Sequence, residues 1–126
     1  MRKKTVPPLL ISIAILQLLT ASSCKHDPQG IDKFDQVCFQ SQILPIMQTS
    51  CGMAGCHDGT SEAFQISTYN DVKDMVSPGN AGNSTLYQVI TAVNGNLMPP
   101  NRPLSKEQRT LILVWIQQGA NNTTCP

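Results

Sequence analysis

A chain of 126 residues with 40% apolar and 5% aromatic side chains has room for one domain with a modest core, which excludes a multidomain architecture. Its nine Lys and Arg against eight Asp and Glu leave a formal charge of +1. Beyond the first four residues no cluster of Lys and Arg occurs, so the chain lacks the cationic surface needed to neutralise a phosphate backbone, and nucleic acid is excluded as a partner.

Arg2, Lys3 and Lys4 precede an almost wholly apolar run from Val6 to Leu19, and small Ala21, Ser22 and Ser23 follow. This order predicts an export signal over residues 1–23. The run is shorter than the roughly 20 apolar residues of a membrane span, and Pro7 and Pro8 disturb its first turn. Ser23-Cys24 resembles the end of a bacterial lipoprotein signal, with Ala21 where that group usually carries Leu. The resemblance implies a mature chain that begins at a lipid-modified Cys24, anchored to a membrane on its periplasmic or cell-surface side. Without the signal, six basic residues face eight acidic ones, a formal charge of −2. Residues 24–36, polar with Pro28 and Gly30, are expected to form a tether, with His26 a solvated residue within it.

The domain is expected over residues 37–126. Val37, Ile43, Leu44, Ile46 and Met47 predict a short amphipathic helix between Val37 and Thr49, ended or kinked by Pro45. Asn70 to Val76 and Ser84 to Val93 are further short helices, the first stopped by Ser77-Pro78-Gly79. Asn94 to Pro103, with an Asn-Gly pair and three prolines, is an extended loop with Met98 in its middle. The last helix is the firmest: Ser105 is an N-cap with Gln108 three places on, Leu111, Ile112, Val114, Trp115 and Ile116 form a wide apolar face, and Gly119 supplies the stop. Runs that would mark strands are missing. The fold class expected is all-α, with long loops.

Cys51-Gly52-Met53-Ala54-Gly55-Cys56-His57 carries the chemistry. Two thiols with a histidine directly after the second is the arrangement used for haem c: each thiol adds to a vinyl group and the adjacent imidazole reaches the iron. Four residues separate the cysteines where two are usual, and Gly52 and Gly55 let the longer loop bend. Asp58, before Gly59, suits a turn. The motif also leaves a disulfide or a metal open: Cys51, Cys56 and His57 could hold zinc, although no fourth ligand stands out. A lipoprotein stapled by Cys51–Cys56 and Cys38–Cys125, without a cofactor, is a further alternative.

With Ile43-Leu44-Pro45-Ile46 before the motif, Cys56-His57-Asp58, Met98-Pro99-Pro100, and Trp115-Ile116 with Gly119-Ala120 in the closing helix, nearly all of residues 37–126 resembles the small bacterial c-type cytochromes. A widened motif occurs in some c-type cytochromes. The resemblance implies a cytochrome c-like helical domain wrapped around one haem c, with Cys51 and Cys56 as attachment points, His57 as one axial ligand and Met98 as the second. A thioether favours ferrous iron and raises the reduction potential relative to two histidines. With both axial positions filled, it implies an electron carrier, or a haem module serving a separate oxidoreductase, and not an enzyme; its partners are redox proteins.

With Cys24 assigned to lipid and Cys51 and Cys56 to haem, Cys38 and Cys125 remain at the two ends of the domain. They could close one disulfide, which a secreted location permits and which is worth roughly 3 to 5 kcal/mol in the chain-entropy model. Trp115 is expected in the core, touching the haem edge.

Overall fold

Where the amino-acid pattern is helical, the local signals that start each helix decide its boundaries. The computed structural model describes residues 33–125; the expected signal, Cys24, His26 and the tether up to residue 32 lie outside the described residues. Every regular element among the described residues is helical. A π-type turn, Phe39–Ile43, runs into α1, Leu44–Ser50. Then come α2, Tyr69–Lys73, a 3₁₀ turn, Ala81–Asn83, α3, Thr85–Ile90, and α4, Lys106–Gln117.

The segment divides beside Pro45: the π turn ends at Ile43, and Pro45 lies in the first turn of α1. There the missing N–H costs no hydrogen bond and the fixed φ suits a helix start. The wider π turn preceding it buries Phe39 and Ile43. α2 begins one residue earlier than expected, because Thr68 and Asp71 form a capping box, and α3 is shorter at both ends. α4 starts as expected: Ser105 accepts from the Gln108 backbone N–H while Gln108 Oε1 accepts from Ser105 N at 2.9 Å.

The core is built on one face of α4. Ile112, Val114, Trp115 and Ile116 are buried there and pack in one cluster with Phe39, Ile43, Met47, Val72, Leu86 and Ile90. Three aromatic rings organise its centre: Phe39 meets Tyr69 edge-on with centroids 5.0 Å apart and Trp115 at 5.3 Å. Their polar handles are satisfied, Tyr69 Oη donating to the Ala120 carbonyl and Trp115 Nε1 to that of Asn121. Buried Ser84 accepts from Ser77 N and donates to the Asn80 carbonyl at 2.8 Å, which ties the turn before α3 to the end of the α2 segment.

The two ends of the domain are clasped together. Val37 N donates to Gln118 Oε1 at 2.8 Å, and Gln40 N to the Thr123 carbonyl at 3.2 Å. Cys38 and Cys125 form a disulfide with Cα atoms 5.8 Å apart, inside the range that a bridge accepts.

Acid stability follows from the caps. Asp71 accepts from Ser67 N at 2.9 Å and Thr68 N at 2.7 Å, and these bonds, Ser67 first, hold its carboxyl below the usual carboxylate range. Because the folded state lowers the pKa, the stabilisation is present above the ordinary value of about 4 and is lost as pH falls through it to the depressed one. Thermal melts followed by circular dichroism should show the midpoint dropping below pH 4. Asp71→Asn should melt lower than wild type at pH 7 and lose less on going to pH 3. A variant that loses as much as wild type would remove Asp71 from this account.

Candidate functional site

The motif loop starts where α1 ends. Cys51 N donates to the Met47 carbonyl at 2.8 Å, and Gly52 N to the same oxygen at 2.9 Å, so the first thiol is set by the last helical turn. Cys51 is buried in the core cluster, and burial first, then the neighbouring Cys56 thiol, pushes its pKa up. Cys56, by contrast, is exposed, and both cysteines are free thiols.

Two glycines make this loop possible. A Cβ on Gly52 would stand 2.6 Å from the Ile66 carbonyl oxygen, so only glycine lets the two backbones approach. Gly55 takes φ +77°, the left-handed region that glycine adopts without steric cost. Gly52→Ala should therefore displace the loop from Ile66 and lower the unfolding free energy by about 1 to 3 kcal/mol, read as a lower midpoint in denaturant. An unchanged midpoint would show that the loop yields freely.

His57 is held from three directions. Its N–H donates to the Cys51 carbonyl at 3.1 Å, and its own carbonyl accepts from Ile66 N at 2.8 Å. Its Nδ1 lies 2.9 Å from the Phe64 carbonyl oxygen. A carbonyl can only accept, so Nδ1 carries a proton, and Nε2 is the ring nitrogen left to offer a lone pair to a metal. The Phe64 ring packs on the imidazole with centroids 4.5 Å apart. Anchoring of Nδ1 by a carbonyl is how proteins orient histidines whose Nε2 binds a metal.

Asp58 takes the turn role expected of it. It accepts from Thr60 N at 3.0 Å, Thr60 Oγ1 at 2.7 Å and Gly55 N at 3.3 Å, and the Thr60 hydroxyl is the main reason its carboxyl lies below the usual range. Ser61 Oγ donates to the Cys56 carbonyl. The segment from 51 to 66 is thus stitched by its own short-range bonds.

The second strip of the site is the loop of residues 94–103. Met98 N donates to the Val89 carbonyl at 2.9 Å, which hangs the loop from α3, and the Met98 side chain is 41% exposed. A cavity of about 430 Å³ lies between the loop and the motif, with Cys56, Met53, Pro99, Pro100 and Leu104 in its wall. This is within the size range of small-molecule and cofactor sites. The structure therefore brings Cys56 together with the Met98-Pro99-Pro100 stretch, but neither His57 nor the Met98 side chain lines the cavity, and Cys51 faces the core.

A larger cavity, about 510 Å³, lies between Phe34–Val37 and α4. None of the motif residues lines it, so it is not the candidate site. Trp115 is a core residue, as expected. No family model, no curated protein and no solved structure matches the chain.

The residues suit a covalently held porphyrin in their donor chemistry: two free thiols, one imidazole with its Nε2 lone pair available, and one thioether on a proline-stiffened loop. Among the described residues no three or more His, Cys, Asp or Glu side chains are grouped to hold a metal ion by themselves. Among the described residues no helix is long and apolar enough to cross a membrane. Sequence reasoning missed Phe64, which supplies both the carbonyl and the ring that fix His57, and Met53 and Arg102 on the cavity wall. Phe64 carries no motif signal, since its role arises only when the loop closes at Ile66.

Proposed function

We propose that the protein is an extracytoplasmic electron carrier that holds one haem c through Cys51 and Cys56, with His57 and Met98 as axial ligands, in an all-α cytochrome c-like domain. The observation that carries this reading is the Nδ1 bond of His57 to the Phe64 carbonyl, which leaves Nε2 as a ligand directly after Cys56. Two further facts support it. Cys38 and Cys125 are paired while Cys51 and Cys56 stay free. Of the large apolar side chains left exposed, Met53, Phe64 and Met98 all lie on the two loops of the site.

When bound, haem c supplies a one-electron ferric and ferrous couple. The chain's own part is to hold and select. Cys51 and Cys56 tether, His57 is oriented by Phe64, and Met98 sits on a loop whose prolines restrict its motion. With His57 and Met98 both holding the iron, no position would remain for a substrate, which favours a carrier for separate redox proteins over an enzyme. Lipid on Cys24 would keep the carrier at a membrane surface.

The test is an absorption spectrum of the full chain, made with a haem-attachment system, washed with acidified acetone and reduced with dithionite. Sharp reduced bands that survive the wash are expected. A colourless protein would sink the reading, and mapping of a Cys51–Cys56 disulfide would then favour the cofactor-free stapled lipoprotein.

A further inference from the structure

No part of the haem reading uses the Asn94-Gly95 pair. Residues 93–96 are exposed, and Asn94 opens a turn there. Its carbonyl accepts from Leu97 N at 3.2 Å, and its side-chain Oδ1 accepts from Asn96 N at 3.2 Å. The second bond folds the side chain back along its own backbone. The ring of atoms it closes contains both the amide carbon Cγ of Asn94 and the backbone nitrogen of Gly95.

That nitrogen is unhindered. Gly95 N donates to no protein group among the described residues. A Cβ built on Gly95 would meet nothing within 4 Å, so the peptide plane has room to turn. The other asparagines followed by a bonded nitrogen differ: Ser84 N donates to the Ala81 carbonyl, Leu97 N to that of Asn94 and Thr123 N to that of Asn121. Asn70 lies inside α2. Asn80, Asn101 and Asn121 precede Ala81, Arg102 and Asn122, whose Cβ atoms shield the nitrogen.

We propose that Asn94 is a modification site, at which Gly95 N of the folded chain attacks the side-chain Cγ and converts the asparagine to aspartyl and isoaspartyl residues. Hydroxide takes the Gly95 N–H proton. The new N–Cγ bond displaces the side-chain nitrogen, which takes a proton from water and leaves as ammonia. Water then opens the five-membered ring at either carbonyl. The net change is water in and ammonia out, with no oxidant or reductant. Opening at the backbone carbonyl puts an extra methylene into the main chain, and either opening adds a negative charge. The altered turn leads directly to Met98, whose N donates to the Val89 carbonyl at 2.9 Å, so the isoaspartyl form changes how the Met98 loop hangs from α3.

The full chain and a synthetic peptide of residues 91–98 are held side by side at neutral and at mildly alkaline pH. Both are then mapped by mass spectrometry, with isoaspartate counted by enzymatic methylation. Asn94 should be the first asparagine of the folded chain to convert, at the rate of the peptide, and faster at the higher pH. Gly95→Ala should lose most of the conversion with its circular dichroism unchanged, because the added methyl group has open space but covers the nitrogen. Hydrogen exchange of the Leu97 and Met98 amides should quicken in the isoaspartyl form. A folded chain whose Asn94 outlasts the peptide overturns the assignment whether or not the variant folds. So does another asparagine converting first, or a Gly95→Ala chain that converts as fast as wild type. Unchanged exchange at Leu97 and Met98 overturns the effect on the Met98 loop.

Discussion

If the protein carries the haem c proposed for it, Met98→Ala should leave that haem covalently attached, since both thiols remain, but abolish the weak sulfur-to-iron absorption band of the oxidised protein and lower the reduction potential. Loss of a thioether removes the ligand that favours ferrous iron, and axial ligation spans about 0.8 V among haem proteins, so a fall on the order of 0.1 V is expected. Potentiometry with optical monitoring measures it. Met98 has no large packing role to confuse the result, because its side chain is 41% exposed and a truncation there leaves no core cavity. A variant with unchanged band and potential would remove Met98 from the iron and point to another ligand, and Met53 on the cavity wall would be the first replacement to examine.

The second large effect concerns the clasp. Cys38 and Cys125 are 87 residues apart in sequence, and in the chain-entropy model closing a loop of that length is worth about 4 to 5 kcal/mol. Cys38→Ser with Cys125→Ser should therefore lower the thermal midpoint by at least about 15 °C, since each kcal/mol shifts a domain of this size by roughly 4 to 8 °C. The hydrogen bonds of Val37 and Gln40 to the C-terminal segment remain in the double variant, so the fold should persist at low temperature with its helicity unchanged. A loss of under about 5 °C would mean that the unfolded chain is already compact at its ends.

These expectations draw on features that differ in how openly the amino-acid order displays them. The start of α4 was legible because Ser105 and Gln108 act within one turn, and a local device works the same way in any surroundings. Helical segments near residues 44, 70 and 85 were legible from apolar spacing, whereas their ends were set by Thr68, Pro45 and Ser84 acting through neighbours. Pro45 marks the division of its segment, and what the amino-acid order did not show is that the part before it is a π turn and that the proline opens the next helix in its first turn. At the site, the motif and the Met-Pro-Pro stretch announce donor atoms but not directions. That Cys51 faces the core while Cys56 faces the cavity depends on α1 continuing to Ser50, and that Phe64 orients His57 depends on the loop closing at Ile66.

The clasp also bears on how the protein withstands damage. Both loops of the site lie between the two bridged cysteines, so a single peptide-bond cleavage anywhere from 39 to 124 opens the chain without dividing it into separate molecules. A protease that nicks the exposed stretch around Asn94-Gly95 would leave the fragment bearing Cys51, Cys56 and His57 still joined to the one bearing Met98 and α4. The same nick would yield two pieces only under reducing conditions, so the lifetime of the intact assembly is governed by thiol chemistry at residues far along the chain from the cut.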